Sequence, residues 1–229
     1  MIPATSFSFA NTGIVVDGPS ESNLCVRAYR MLQQDYDLPP VAMHLHKIVP
    51  MGAGLGGGSS DAAHTLMLLN LIFDMGLSAG HMRHYASRLG SDCAFFIEQQ
   101  AMIGTGKGDL LEEANVSLKG KFLVIIKPAI SVSTAEAYRQ VVPGSGHTEL
   151  RQIVEGERLE NWRYTLANDF EVGIFERYPV LRELKTMLYT QGAVYAAMSG
   201  SGSSVFGIFD DFVDLSKSAG DCTYWAARL

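Results

Sequence analysis

The chain is poor in cysteine: Cys25, Cys93 and Cys222 are the only three in 229 residues, widely separated and without a CxxC pair. An odd, scattered set excludes a disulfide framework and the paired spacing of a structural zinc site, and it fits a reducing compartment, the cytoplasm. Basic charge is also scarce, since 18 Lys and Arg against 24 Asp and Glu leave a net charge of -6. That balance argues against a broad basic surface for nucleic acid but leaves room for a small anion site made of backbone amides. Long apolar runs are missing too. None approaches the roughly 20 residues that span a bilayer, and the opening "MIPATSFSFANTG" lacks the basic start and apolar core of a signal peptide. There is no tandem repeat or low-complexity tract. These absences point to a soluble, unexported protein whose partner is a small molecule, with no nucleic acid and no membrane. A chain of 229 residues, 47% hydrophobic, can bury one large core or two modest ones.

Glycine is present in a concentrated form. "PMGAGLGGGSSDAA", Pro50 to Ala63, follows "VAMHLHKIV", in which Val41, Met43 and Leu45 alternate with His44 and His46 as in a half-buried strand. After the loop, Asp61 or a nearby serine is expected to cap a helix through "AAHTLMLLNLIFDMG" that stops at Gly76, and Ser78 to cap a second helix ending at Gly90. "SDCAFFI" then reads as a short buried strand, and "AMIGTGKGD" as a strand with a glycine hairpin or bulge. The charged connector "LLEEANVSLKGK" holds the expected domain boundary, dividing residues 1–117 from 118–229. Beyond it come a strand "FLVIIKP", a helix at "STAEAYRQV", a polar loop "PGSGHTEL", helices near "LRQIVEG" and "YPVLRELKTMLYTQG", and paired strands "AVYAAMS" and "SVFGIFD" around "GSG". Helices mixed with antiparallel-capable strands indicate an α+β architecture.

A glycine-rich loop running into a helix is an anion site in waiting, because free amides converge where the helix dipole places about half a positive charge. The alternative is a flexible turn packed against another backbone. No lysine lies in the loop, so the Walker pattern is not met. Gly52, Gly54 and Gly57 satisfy GxGxxG, yet the single crossover helix and distant acidic residue of a dinucleotide fold are lacking. Asp92, after a helix-ending glycine and before an apolar run, reads either as a rigidly held carboxylate open to tuning or as a local turn cap. His44 and His46 have a metal-like spacing without a third ligand, or form a solvated strand face. Lys107 either approaches a diphosphate or is an exposed hairpin lysine, and Cys93 reads as a small buried hydrophobe.

The glycine loop closely resembles the second motif of the GHMP kinases, the superfamily of galactokinase, homoserine kinase and mevalonate kinase, and "MSGSGSSVFGIFD" from Met198 to Asp210 resembles its late glycine loop. "NLCVRAYRML", "LHKIVPMGAGLGGGSSDAA", "LGSDCAFFI", "STAEAY" and "NDFE" are most similar to the Bacteroidetes members of one branch. That branch phosphorylates the 2-hydroxyl of 4-diphosphocytidyl-2-C-methyl-D-erythritol in the non-mevalonate isoprenoid pathway. The resemblance implies the GHMP kinase fold, with a ribosomal protein S5 domain 2-like N-terminal part and a ferredoxin-like C-terminal part. It also implies ATP and Mg2+ as cofactors, in a monomer or homodimer.

Residue by residue, the resemblance implies that the backbone of Pro50, Met51, Gly52, Ala53, Gly54, Leu55, Gly56, Gly57, Gly58, Ser59 and Ser60 wraps the ATP phosphates. Ser59 and Ser60 are then magnesium or phosphate contacts, and Asn23 and Lys47 line the adenine pocket. Asp92 becomes the base that takes the proton of the attacking hydroxyl, while Thr134, Gly200 and Gly202 meet the substrate. Asn168 to Glu171 support the site or cap a helix. A non-catalytic nucleotide-binding protein of the same fold, or a kinase of another small alcohol, are the alternatives.

One part of the pattern finds no match. The superfamily's first motif, a "PAKINL"-like strand, carries a lysine that pairs with the catalytic aspartate and a Tyr-His pair on the cytidine, whereas "MIPATSF" resembles an internal position. A start assigned too late or a real truncation would each account for this. Phosphoryl transfer relies on positioning and electrostatics, so residues 1–229 taken alone are expected to have little or no kinase activity. An uncovered sheet edge, open to dimerisation or aggregation, is expected with it.

Overall fold

The computed structural model describes residues 1–108, 110–141 and 150–229, so the loop expected over "PGSGHTEL" and the end of "GTGKGD" at Asp109 lie outside the described residues, Leu150 excepted. The chain forms two compact units, Met1–Pro50 with Gly56–Glu113, and Met51–Leu55 with Ala114–Leu229.

In the first unit, β1 (Ile2–Pro3) and β2 (Ser8–Gly13) precede α1 (Leu24–Tyr36). Asn23 caps α1, its side-chain oxygen accepting from the Cys25 amide at 2.9 Å, and Cys25, Ala28, Tyr29 and Leu32 recur at helical spacing on the buried face. β3 (Val41–Lys47) is the expected alternating strand, with Val41 and Met43 inside and His44 and His46 exposed. It lies between its two neighbours, antiparallel to β1 with Ile2 opposite Ala42, and parallel to β2 with Thr12 opposite His46. α2 (Gly57–Ile72) and α3 (Ala79–Leu89) cover the inner face, contributing Ala62, Leu66, Leu69, Tyr85, Ala86 and Leu89 to the core.

Three expectations need correction here. α2 starts four residues before Asp61, at Gly57, with Gly56 as its N-cap in the left-handed region (φ 63°) and no side-chain cap at all. The helix ends at Ile72, well before Gly76. "SDCAFFI" is not a strand: Ser91–Cys93 form one 3-10 turn and Phe95–Glu98 form α4, with Cys93, Ala94 and Ile97 packed into the core. A short apolar run is compatible with either element, and here helical packing against α2 and α3 decides. Ser78 does cap α3, accepting from the His81 amide at 3.3 Å, and Gly90 ends it. β4 (Met102–Thr105) and β5 (Leu110–Glu113) form an antiparallel hairpin, so the first third of the charged connector is strand.

The second unit is built on β6 (Phe122–Lys127), followed by α5 (Thr134–Gln140), α6 (Leu150–Gly156), α7 (Trp162–Thr165), α8 (Glu171–Arg177) and α9 (Pro179–Thr190). β7 (Tyr195–Met198), β8 (Val205–Phe209) and β9 (Thr223–Arg228) complete an antiparallel sheet in the order β7-β8-β6-β9. This is the strand order of a split βαβ, ferredoxin-like sheet, with turns in place of a helix between β8 and β9. All four residues of β7 are buried because both its faces are covered. Ala196 and Met198 pack with Leu181 and Leu188 of α9, and Tyr195 and Ala197 with Ile153 and Trp162 of α6 and α7.

Candidate nucleotide and phosphoryl-transfer site

In the first unit the site is the start of α2. The first amides of any α-helix have no intrahelical acceptor, and a glycine at the N-cap brings no side chain to satisfy them. Gly57, Gly58 and Ser59 therefore present unpaired N–H groups, the first helical bond being Ser60 N–H to the Gly56 carbonyl at 2.9 Å. A Cβ on Gly56 would lie 2.7 Å from the Phe96 ring, so α4 seals the turn that aims these amides. The helix that follows is sixteen residues long, enough for its dipole to add positive potential at this end.

The two serines point to different neighbours. Ser60 Oγ lies 3.4 Å from His64 Nδ1, which also hydrogen-bonds the Ser60 carbonyl at 2.8 Å. The Ser59 side chain bonds the Cys93 thiol. Burial pushes that thiol's pKa up, while the Ser59 bond and the charge of Arg27 oppose the rise. Asp92, beside Cys93 in the 3-10 turn, is exposed and accepts from Ser91 Oγ at 3.3 Å. Cys93 thus links the turn that carries Asp92 to the amide-rich start of α2. Asn23 has its oxygen committed to capping α1. Lys47 is 3% exposed and donates to Asp61 Oδ2 at 2.5 Å.

Met51–Leu55 belong to the second unit, where they lie along the late glycine loop. The Ser204 amide donates to the Ala53 carbonyl at 3.0 Å, and Ser199 Oγ donates to the Gly54 carbonyl at 2.8 Å. Gly54 has φ 72°, and a Cβ there would come within 1.9 Å of the Ser199 carbonyl oxygen. Asn168 Nδ2 clasps the late loop by donating to the Met198 and Gly200 carbonyls, each at 2.8 Å, while its Oδ1 accepts from the Phe170 amide. Glu171, 8% exposed, accepts from the Met198 amide at 2.8 Å and pairs with Lys185 at 2.5 Å. "NDFE" is therefore both a helix entry and a support for the loop. Gly200 and Gly202 have φ 51° and 86°. Ser203 Oγ donates to the Ile130 carbonyl at 2.5 Å, and Ser204 Oγ is buried without a partner among the described residues. Thr134 opens α5 after the Ser133 cap, and Tyr138 of α5 is 65% exposed with its ring edge-on to Phe170.

Two residues beside the candidate site escape sequence reasoning. Asp61 is the partner of Lys47, and only the fold reveals that strand and helix bring them together. Arg27 is exposed on α1, four residues after Asn23, a spacing that puts both on one helix face. Among the smaller features, Thr12 Oγ1 lies 2.8 Å from His44 Nε2 and 2.9 Å from His46 Nδ1. Among the described residues no group of three or more His, Cys, Asp or Glu can hold a metal ion. No described helix is long and apolar enough to cross a membrane.

Known proteins of one family resemble the chain in both of its parts. A family model of the GHMP kinase N-terminal domain matches residues 23–100, and one of the GHMP kinase C-terminal domain matches residues 149–217. The chain is 48% identical, over 92% of its length and 78% of the relative's, to a 4-diphosphocytidyl-2-C-methyl-D-erythritol kinase of Cytophaga hutchinsonii. It is 42% identical to the protein of that name in Parabacteroides distasonis, over 96% and 82%. A crystal structure of a 4-(cytidine 5'-diphospho)-2C-methyl-D-erythritol kinase superposes with a TM-score of 0.77 at 26% identity, covering 98% of this chain and 82% of that one. With both domain patterns matched in order and relatives this similar over most of their length, the chain belongs to the GHMP kinase family.

Proposed function

We propose that the protein is the kinase that transfers phosphate from ATP to the 2-hydroxyl of 4-diphosphocytidyl-2-C-methyl-D-erythritol, in the cytoplasm and on the route to isoprenoid precursors. The observation that carries this reading is the uncapped start of α2, whose amides at Gly57, Gly58 and Ser59 have no side-chain acceptor. They suit the phosphates of ATP, which supplies the phosphoryl group when bound. Ser59 and Ser60 offer hydroxyl oxygens but no carboxylate cage, a donor set that fits Mg2+ arriving with the nucleotide and retaining phosphate and water ligands. Asn23 and the main chain of Lys47 border the adenine, the Lys47 side chain being buried against Asp61. Asp92, exposed and held by its 3-10 turn, accepts the proton of the attacking hydroxyl. Thr134, Gly200 and Gly202 face the substrate.

The chemistry needs little beyond placement and charge. Asp92 is exposed and accepts from Ser91 Oγ at 3.3 Å, which leaves its carboxylate open to the attacking hydroxyl. The test is ADP release and phosphorus NMR of the product with Mg·ATP and the cytidine-linked substrate. Asp92→Asn should abolish turnover while leaving ATP affinity intact, and a fully active variant would remove Asp92 from its role. ATP binding with no turnover would favour a non-catalytic nucleotide-binding protein instead.

A further inference from the structure

Alternation along β3 puts Lys47 on the same inward face as Val41 and Met43, a place that ordinarily takes an apolar residue. With only 3% of its side chain exposed, its ammonium needs a fixed partner. Asp61 supplies one at 2.5 Å, from just beyond the first turn of α2. That turn sits directly on the ammonium: a Cβ on Gly57 would lie 3.1 Å from Lys47 Nζ and 2.8 Å from Val49 Cγ1. Asp61 is itself held within α2, its carbonyl accepting from Thr65 Oγ1 at 2.8 Å. At the other end, the Lys47 carbonyl accepts from the Ile14 amide at 2.8 Å. One residue therefore ties together the ends of β2 and β3 and the beginning of α2.

We propose that Lys47 and Asp61 form a positioning brace that sets the orientation of the first turn of α2, and with it the aim of the unpaired amides at Gly57, Gly58 and Ser59. This rests on the reading of those amides as the ATP site. Because Asp61 neutralises Lys47, the pair acts by geometry through the helix and not by adding charge beneath the phosphates. A free ammonium would do the opposite: removing Asp61 would strengthen anion binding.

The test compares wild type with Lys47→Met, Asp61→Ala and Asp61→Asn, measuring Mg·ATP affinity by calorimetry and amide hydrogen exchange over Ser60–Ala63, the first amides of α2 that have helical acceptors. Asparagine keeps an oxygen that can accept from Lys47, so Asp61→Asn should stay within about threefold of wild type, whereas Lys47→Met and Asp61→Ala should each lose about tenfold or more and exchange faster in that turn. Thermal unfolding shows whether each variant is folded, and Asp61→Asn keeps the comparison open if a harsher change is not. Asp61→Ala binding Mg·ATP as tightly as wild type, or more tightly, overturns the brace, as does unchanged exchange at Ser60–Ala63. Wild type that fails to bind Mg·ATP overturns the nucleotide reading instead, and the exchange data still decide the brace.

Discussion

Replacing Gly54 with alanine would ask a side chain to fit where the backbone has left no room. The residue sits at φ 72°, where an L-residue costs about 1–2 kcal/mol. The new methyl would also lie 1.9 Å from the Ser199 carbonyl oxygen, against 3.4 Å or more for ordinary contact. Backbone on both sides must then separate by about 1.5 Å, the difference of those distances. Such a shift breaks the Ser199–Gly54 and Ser204–Ala53 hydrogen bonds, each worth about 1 kcal/mol. Together the loss is about 3–4 kcal/mol, or a fall of about 10 °C in Tm for a chain of this size. Differential scanning calorimetry reads it directly. Gly58→Ala is the control, since its Cβ would meet nothing nearer than Leu24 Cδ1 at 4.0 Å. In a helix it should be neutral or stabilising by up to about 0.5–1 kcal/mol. Equal midpoints for Gly54→Ala and wild type would refute the close approach.

Asn168→Ala removes both donors to the late loop and should cost about 2 kcal/mol in urea titration, with Asn168→Asp recovering little because a carboxylate cannot donate to the Met198 and Gly200 carbonyls. Burial raises the pKa of the Cys25, Cys93 and Tyr195 side chains, so the fold favours their neutral forms. Their contribution is complete below the unfolded thiol and phenol pKa values, about 8.5 and 10, and is lost as pH climbs through the raised folded values, so alkaline pH should lower the unfolding midpoint. A midpoint that does not fall between pH 8 and 11 would contradict this. A disulfide-forming reagent at pH 8 should modify Cys222 first and reach buried Cys25 and Cys93 only in denaturant, which mass spectrometry can follow.

Much of this was legible where a local signal and the tertiary environment agree. The alternation of β3, the Ser78 cap and the β7–β8 pair all appear where sequence reasoning puts them, because each carries its own turn chemistry or face pattern. The start of α2 is not legible because Gly57 and Gly58 are poor helix formers, and the turn is held there from outside by Phe96, Val49 and Lys47. β2 is mostly exposed, with four of its six residues on the surface, and its register comes from parallel pairing with β3. The site residues were legible as a motif, but their partners were not. Nothing in the spacing of Lys47 and Asp61 distinguishes an ion pair from two solvated charges, and Asn168 meets carbonyls thirty residues further on.

The assignment of Met51–Leu55 to the second unit has a consequence for how the protein is made. Ser199 follows Gly54 by 145 residues. At about 5–20 residues per second, the ribosome takes about 7–30 s to supply that partner after the glycine loop has been synthesised. Throughout that interval α2 can be complete while Ala53 and Gly54 have nothing to bind. A nascent chain halted before Ser199 carries Ala53 and Gly54 without either of these late partners.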